Sequence, residues 1–130
     1  MTRIEARNNA FLLLFETAFD PAPDRESILA LAAEHHGIET DDFVLSVYNG
    51  VLDQQDEIDA EIEKYCQRRA LNRLSKMLLT ALRIAVFELR NTETAPAVVI
   101  NEAVELIKTY DSPEAAAYGN GVLGSYVRAR

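Results

Sequence analysis

The sequence predicts an all-α protein. Only five glycines and four prolines interrupt its 130 residues, and the apolar residues between them recur at three- and four-residue spacing, the period of a helix. The composition, 48% hydrophobic and 26% charged, is that of a chain with a core, which sets aside disordered, collagen-like and disulfide-scaffold classes. The length suits one domain and leaves no room for a second full one.

The first helix is expected over about Arg3 to Phe19, with Ile4, Phe11, Leu14, Phe15 and Ala18 on one face and Asp20-Pro21-Ala22-Pro23 as its stop. Asp24 can cap a short second helix, striped by Ile28, Leu31 and Ala32 and ended by His35-His36-Gly37. Thr40-Asp41-Asp42 supplies a cap and two acids at the start of a long third helix. Val44, Val47, Val51, Ile58, Ile62 and Tyr65 form its inner face, with Asp53, Asp56, Glu57, Asp59, Glu61 and Glu63 outside.

After the basic run Gln67-Arg68-Arg69, the stretch from about Asn72 to Arg90 is apolar nearly all round. Such a helix belongs at the centre of a fold, covered on several sides. Pro96 suits the first position of the next helix, whose inner face is Val99, Ile100, Ala103, Val104 and Ile107. Ser112, Pro113 and Glu114 open the last helix, anchored by Val122, Leu123, Tyr126 and Val127. Its Gly119, Gly121 and Gly124 each cost roughly 1 kcal/mol against alanine, and close packing is the simplest compensation. The sharpest break precedes the arginine cluster, dividing the single domain into helical subdomains of about 1–66 and 67–130.

Enzyme chemistry finds little support. The sequence has no glycine-rich phosphate loop, no H-E-x-x-H and no calcium loop. His35 and His36 are adjacent, so a helix points them about 100° apart, and no further histidine completes a metal set. They suit a helix C-terminus. Cys66 is the single cysteine, which excludes an internal disulfide and reads as a small buried hydrophobe. No cofactor or metal is expected. The start of the chain, Met1 to Arg7, lacks the apolar run of a signal peptide, and no stretch approaches the roughly 18 apolar residues of a membrane span. A soluble cytoplasmic protein is the expectation.

The net charge of −8 is unevenly spread. Up to Tyr65 there are four basic and fifteen acidic residues, net −11; after it there are nine and six, net +3. The basic residues of interest are Arg3 and Arg7, four apart on one helix face, then Arg68, Arg69, Arg73, Lys76 and Arg83. Phosphate binding needs several such cations in one footprint; solvated surface charge is the ordinary alternative. Tyr118 offers either a stacking surface for an unpaired base or half-buried packing.

Three runs are more specific. Leu78-Leu79-Thr80-Ala81-Leu82-Arg83-Ile84-Ala85-Val86-Phe87-Glu88-Leu89, Pro96-Ala97-Val98-Val99-Ile100-Asn101-Glu102-Ala103-Val104-Glu105-Leu106 and Tyr118-Gly119-Asn120-Gly121-Val122-Leu123-Gly124 closely resemble the NusB family of bacterial antitermination factors. Ala6 to Phe15 is similar to that family's opening helix. The resemblance implies two small helical bundles packed across each other and a role without catalysis. It also implies pairing with the ribosomal protein NusE, recognition of single-stranded boxA RNA, and action with other Nus factors and RNA polymerase in ribosomal RNA operons. The family's RNA surface maps onto Arg3 and Arg7, and its aromatic position onto Tyr118; Arg83 is a further RNA candidate. Glu88, Glu102 and Glu114 are candidates for a basic protein partner. Glu5, Asn8-Asn9 and Ala115-Ala116-Ala117 thin the positive charge, so RNA binding by this chain alone should be weak. The rival readings are a helical interaction module without RNA recognition and, last, the RNA-binding part of an RNA-cytosine methyltransferase, for whose cofactor domain 130 residues leave no room.

Overall fold

A computed structural model describes residues 1–20, 24–67 and 69–130, so the Pro21-Ala22-Pro23 stop and Arg68 lie outside the described residues. Among these residues there are seven α-helices, one 3-10 turn and no strand. The chain forms two compact units, Met1–Gly50 and Val51–Arg130.

The first unit holds α1 (Arg3–Ala18), α2 (Arg25–His36) and the beginning of α3 (Asp42–Asp53). Thr2 opens α1 with a capping box: its hydroxyl accepts from the Glu5 amide at 3.1 Å while the Glu5 carboxylate accepts from the Thr2 amide at 3.0 Å. Asp24 caps α2, and Gly37 ends it in the left-handed conformation at φ 62°. Asp41, one residue later than Thr40, caps α3 through the Val44 amide at 2.8 Å. The buried face of α1 is Ala6, Arg7, Ala10, Phe11, Leu13, Leu14 and Thr17. Ile4 and Leu31, expected inside, are 63% and 51% exposed. The covered arc of α1 is centred on Ala10, Leu14 and Thr17, rotated from the expected one, which leaves Ile4 outside it and Phe15 half-buried. The Thr17 hydroxyl, already bonded to the Leu13 carbonyl, meets the Tyr48 hydroxyl at 2.8 Å in the interior.

In the second unit the expected long helix is broken at Gln54, and α4 (Gln55–Glu63) follows α3. No glycine or proline marks this break. Gln54 leaves helical geometry at φ −107°, ψ 14°, and its side chain accepts from the Asn91 amide at 3.1 Å. The chain then makes a 3-10 turn over Leu71–Arg73 before α5 (Lys76–Asn91), α6 (Pro96–Tyr110) and α7 (Pro113–Arg128). Ser75 caps α5 through the Leu78 amide and also donates to the Asp111 carboxylate. As the apolar pattern requires, α5 is packed by α4, α6 and α7. Eleven of its residues, Leu78 to Leu82 and Ile84 to Leu89, are buried. Through its packing on α5 and α7, α4 belongs to the unit Val51–Arg130. Among the described residues no helix is long and apolar enough to cross a membrane.

Of the three glycines in α7, close packing explains one. A Cβ on Gly119 would lie 2.7 Å from Ile107 Cδ1 and 3.2 Å from Leu78 Cδ1; at Gly121 it would meet nothing within 4 Å. At Gly124 it would meet only the guanidinium of Arg128 on the same helix. Gly119→Ala is therefore expected to destabilise by about 1–3 kcal/mol, and Gly121→Ala to stabilise by about 0.5–1 kcal/mol. Chemical denaturation checks both, and shifts of the same sign would refute this account of Gly119.

Candidate nucleic-acid interface

In the first unit, Arg3 and Arg7 converge on one ring. Their guanidinium carbons lie 4.0 and 5.5 Å from the centroid of Phe43, within cation–π range. The spacing of four that unites them also separates their fates: Arg3 is exposed in the first turn of α1, whereas Arg7 is 5% exposed. Arg7 is thus placed inside, away from any phosphate, because the register of α1 puts it beside Ala6 and Ala10 on the covered face. Glu5, which dilutes the basic character here, is the capping acid of α1. Its bonds with Thr2 lower its pKa and keep it charged.

The second unit gathers a different set. Tyr118, half-buried in α7, turns its hydroxyl inward, where it has no hydrogen bond of good geometry. Burial first, and then the neighbouring Cys66 thiol, push the phenol up to about 12. Burial likewise raises the pKa of the Cys66 thiol. That suits a packed side chain rather than a nucleophile, as expected from the sequence. Over the Tyr118 ring, 4.8 Å from its centroid, stands the guanidinium of exposed Arg69. The stacking face expected of Tyr118 is therefore covered by a cation. Arg73, in the 3-10 turn of the same loop, is exposed as well.

Arg83 is committed elsewhere. Its Nε and Nη2 donate to the two Asp59 oxygens at 2.8 and 2.9 Å, with the arginine side chain 15% exposed. This fork-on-carboxylate geometry joins α5 to α4 and leaves the guanidinium unavailable as an open phosphate contact. Arg90 makes a similar but more exposed bond to Glu57 at 2.9 Å. The acidic face of α4 is thus partly neutralised by α5.

Of the three acids expected to meet a partner, Glu88 is corrected: at 1% exposed it sits within the central helix. A helix apolar all round leaves its few charged residues no outer face. Glu102 is half-buried on α6, and Glu114 is exposed in the first turn of α7. Asn101 and Asn120 do not cap chain ends; both are exposed and line a cleft of about 510 Å³ along α6 and α7. Among the described residues no group of three or more His, Cys, Asp or Glu side chains is arranged to hold a metal. Sequence reasoning missed the Arg69–Tyr118 pair and the Arg83–Asp59 fork, both of which join residues far apart in the chain. Only the residue types gave any signal.

The sequence profile described as the NusB family matches residues 4–128. A relative named transcription antitermination protein NusB from Acetivibrio thermocellus is 35% identical across all of this chain and 91% of its own length. The protein of that name from Clostridium novyi is 37% identical over 99% of this chain and 100% of its own. Among solved structures, a chain from the crystal structure of antitermination factors NusB and NusE in complex with dsRNA superposes with a TM-score of 0.83. It is 28% identical, covering 98% of this chain and 97% of that one. T. maritima NusB superposes at 0.84 with 27% identity, covering 98% and 92%.

Two expectations follow from the geometry. Arg83→Ala and Asp59→Ala should each cost about 1–3 kcal/mol, with a double-mutant coupling of at least about 0.5 kcal/mol; additive losses would show that the fork is not formed. In an ultraviolet titration, the last tyrosine to ionise, near pH 12, should disappear in Tyr118→Phe. Because the folded pKa is raised, the neutral phenol favours the folded state. That contribution is complete below pH 10 and lost as the pH rises from 10 towards 12. A late step surviving in the variant would assign it to another tyrosine.

Proposed function

Since the chain belongs to the NusB family, we propose that it is a transcription antitermination and elongation factor that binds boxA-type single-stranded RNA together with the ribosomal protein NusE. On this reading it promotes ribosomal RNA operon transcription with other Nus factors and RNA polymerase, as a cytoplasmic, non-catalytic protein. One observation carries it: 98% of the chain aligns with a chain from a solved assembly of NusB and NusE with dsRNA.

The local geometry supports the chemistry. Arg3 in the first unit, and Arg69 and Arg73 in the second, are exposed cations suited to phosphates or bases. The Arg69 guanidinium over the Tyr118 ring offers a planar group of the kind on which unpaired bases stack. With Arg7 buried and Arg83 held by Asp59, few cations remain, which favours weak binding alone and reliance on the partner. Glu114 and Glu102 are the acids left to complement a basic partner.

The test is to titrate a labelled boxA-type RNA, and its duplex form as comparison, with and without NusE at two salt concentrations. We expect NusE-dependent tightening on the single strand. Arg3→Ala should weaken binding and reduce the magnitude of the salt slope by about one. No NusE-dependent binding would sink the reading and leave a helical interaction module in its place, while preference for the duplex would remove its single-strand part.

A further inference from the structure

We propose that Arg69, not Tyr118 itself, is the surface on which an unpaired RNA base stacks, with the Tyr118 ring as the plate that holds its guanidinium in position. The inference rests on the RNA-binding reading above and names a residue for it.

Three observations lead there. The guanidinium of Arg69 lies 4.8 Å above the Tyr118 ring centroid, so a base approaching that face of the ring meets the arginine first. The tyrosine plate is fixed, because its hydroxyl is buried beside Cys66 and its helix is seated closely at Gly119 against Ile107 and Leu78. Finally, Arg69 is exposed and has no carboxylate partner among the described residues. Three cations of this unit, by contrast, lie against acids: Arg83 against Asp59, Arg90 against Glu57 and Lys108 against Glu105.

A guanidinium is planar and weakly hydrated, so one face can rest on an aromatic ring while the other receives a base. Bases stack on arginine planes as readily as on aromatic rings. The π-face of Tyr118 orients the cation and confines its rotamers, reducing the ordering cost when a base arrives. Arg73, four residues on in the same loop, is exposed and without an acid partner among the described residues, and it is the cation proposed for an adjoining phosphate. Stacking and phosphate contact then come from one short segment with different salt dependence.

The experiment uses the full chain with NusE and a boxA-type RNA bearing 2-aminopurine at one position at a time, whose fluorescence is quenched by stacking. Arg69→Lys keeps the charge and removes the plane. It should weaken binding roughly tenfold, abolish quenching at one position and leave the salt slope as in the unaltered protein. Tyr118→Leu should reproduce this loss and add little to it when combined with Arg69→Lys. Arg73→Ala should instead flatten the salt slope by about one while quenching persists. If Arg69→Lys binds and quenches as the unaltered protein does, Arg69 is at most a point charge and the proposal fails while the RNA-binding reading stands. Loss of NusE affinity by Arg69→Lys without RNA would also overturn it, by placing the residue in the partner contact. Absence of RNA binding by the unaltered protein overturns both.

Discussion

A helix that is apolar on nearly every side can exist in water only if other helices cover it. In the second unit α5 imposes that condition, and α4, α6 and α7 meet it. The polar groups that α5 carries inward must then be satisfied where they lie, because an unpaired buried charge or hydroxyl costs more than its pair returns. Thr80 donates to the Lys76 carbonyl at 2.6 Å within the helix, and Arg83 reaches across to Asp59. The fork also gives the acids of α4 a structural use: Asp59 and Glu57 register that helix against α5, with Gln54 and Asn91 as a third tie.

This explains why α5 supplies the most specific stretch of sequence yet few surface contacts. Arg83 and Glu88 stand in a run that reads as functional, but the cover demanded by Leu82, Ile84 and Leu89 encloses them. The surface chemistry of the unit passes to the segment that has no such duty, the loop between α4 and α5. Arg69 there meets Tyr118 because α7, seated closely at Gly119, brings its first turns to the same place.

Much of this was legible in the chain. Caps and stops are short-range chemistry, so Asp24, Gly37, Pro96 and Ser112 can be read from neighbours, whereas Ser75 is masked by an apolar run that extends beyond its helix. The Gln54 break carries no local signal of this kind: no glycine or proline stands there, and the side-chain bond that Gln54 makes is to Asn91 on another helix. Face assignments failed where the spacing is symmetrical. Arg3 and Arg7 share a face, but only the packing of α1 decides that one is open and the other enclosed. Tyr118 was identified by type and position, while its covering cation is a tertiary fact invisible to any local period.

Ion pairing leaves the net charge of −8 unchanged, since each acid held by an arginine occupies a cation as well. Asp59 and Glu57 are occupied by arginines, and Glu5 by a helix cap. The candidate cations are few: Arg3, Arg69, Arg73 and Lys76 are exposed. At a salt slope of about −0.7 per phosphate contact on a single strand, four contacts give no more than about −3, a modest electrostatic contribution at physiological ionic strength. Affinity must therefore come from interactions that salt does not screen. Base stacking on a held guanidinium is of that kind, and a basic partner adds phosphate contacts this chain lacks. Sparse cations and a fixed plate are thus consequences of the same allocation: the arginines near the core, Arg7 and Arg83, are enclosed or paired within the fold, and the proposed RNA surface has only the exposed ones to draw on.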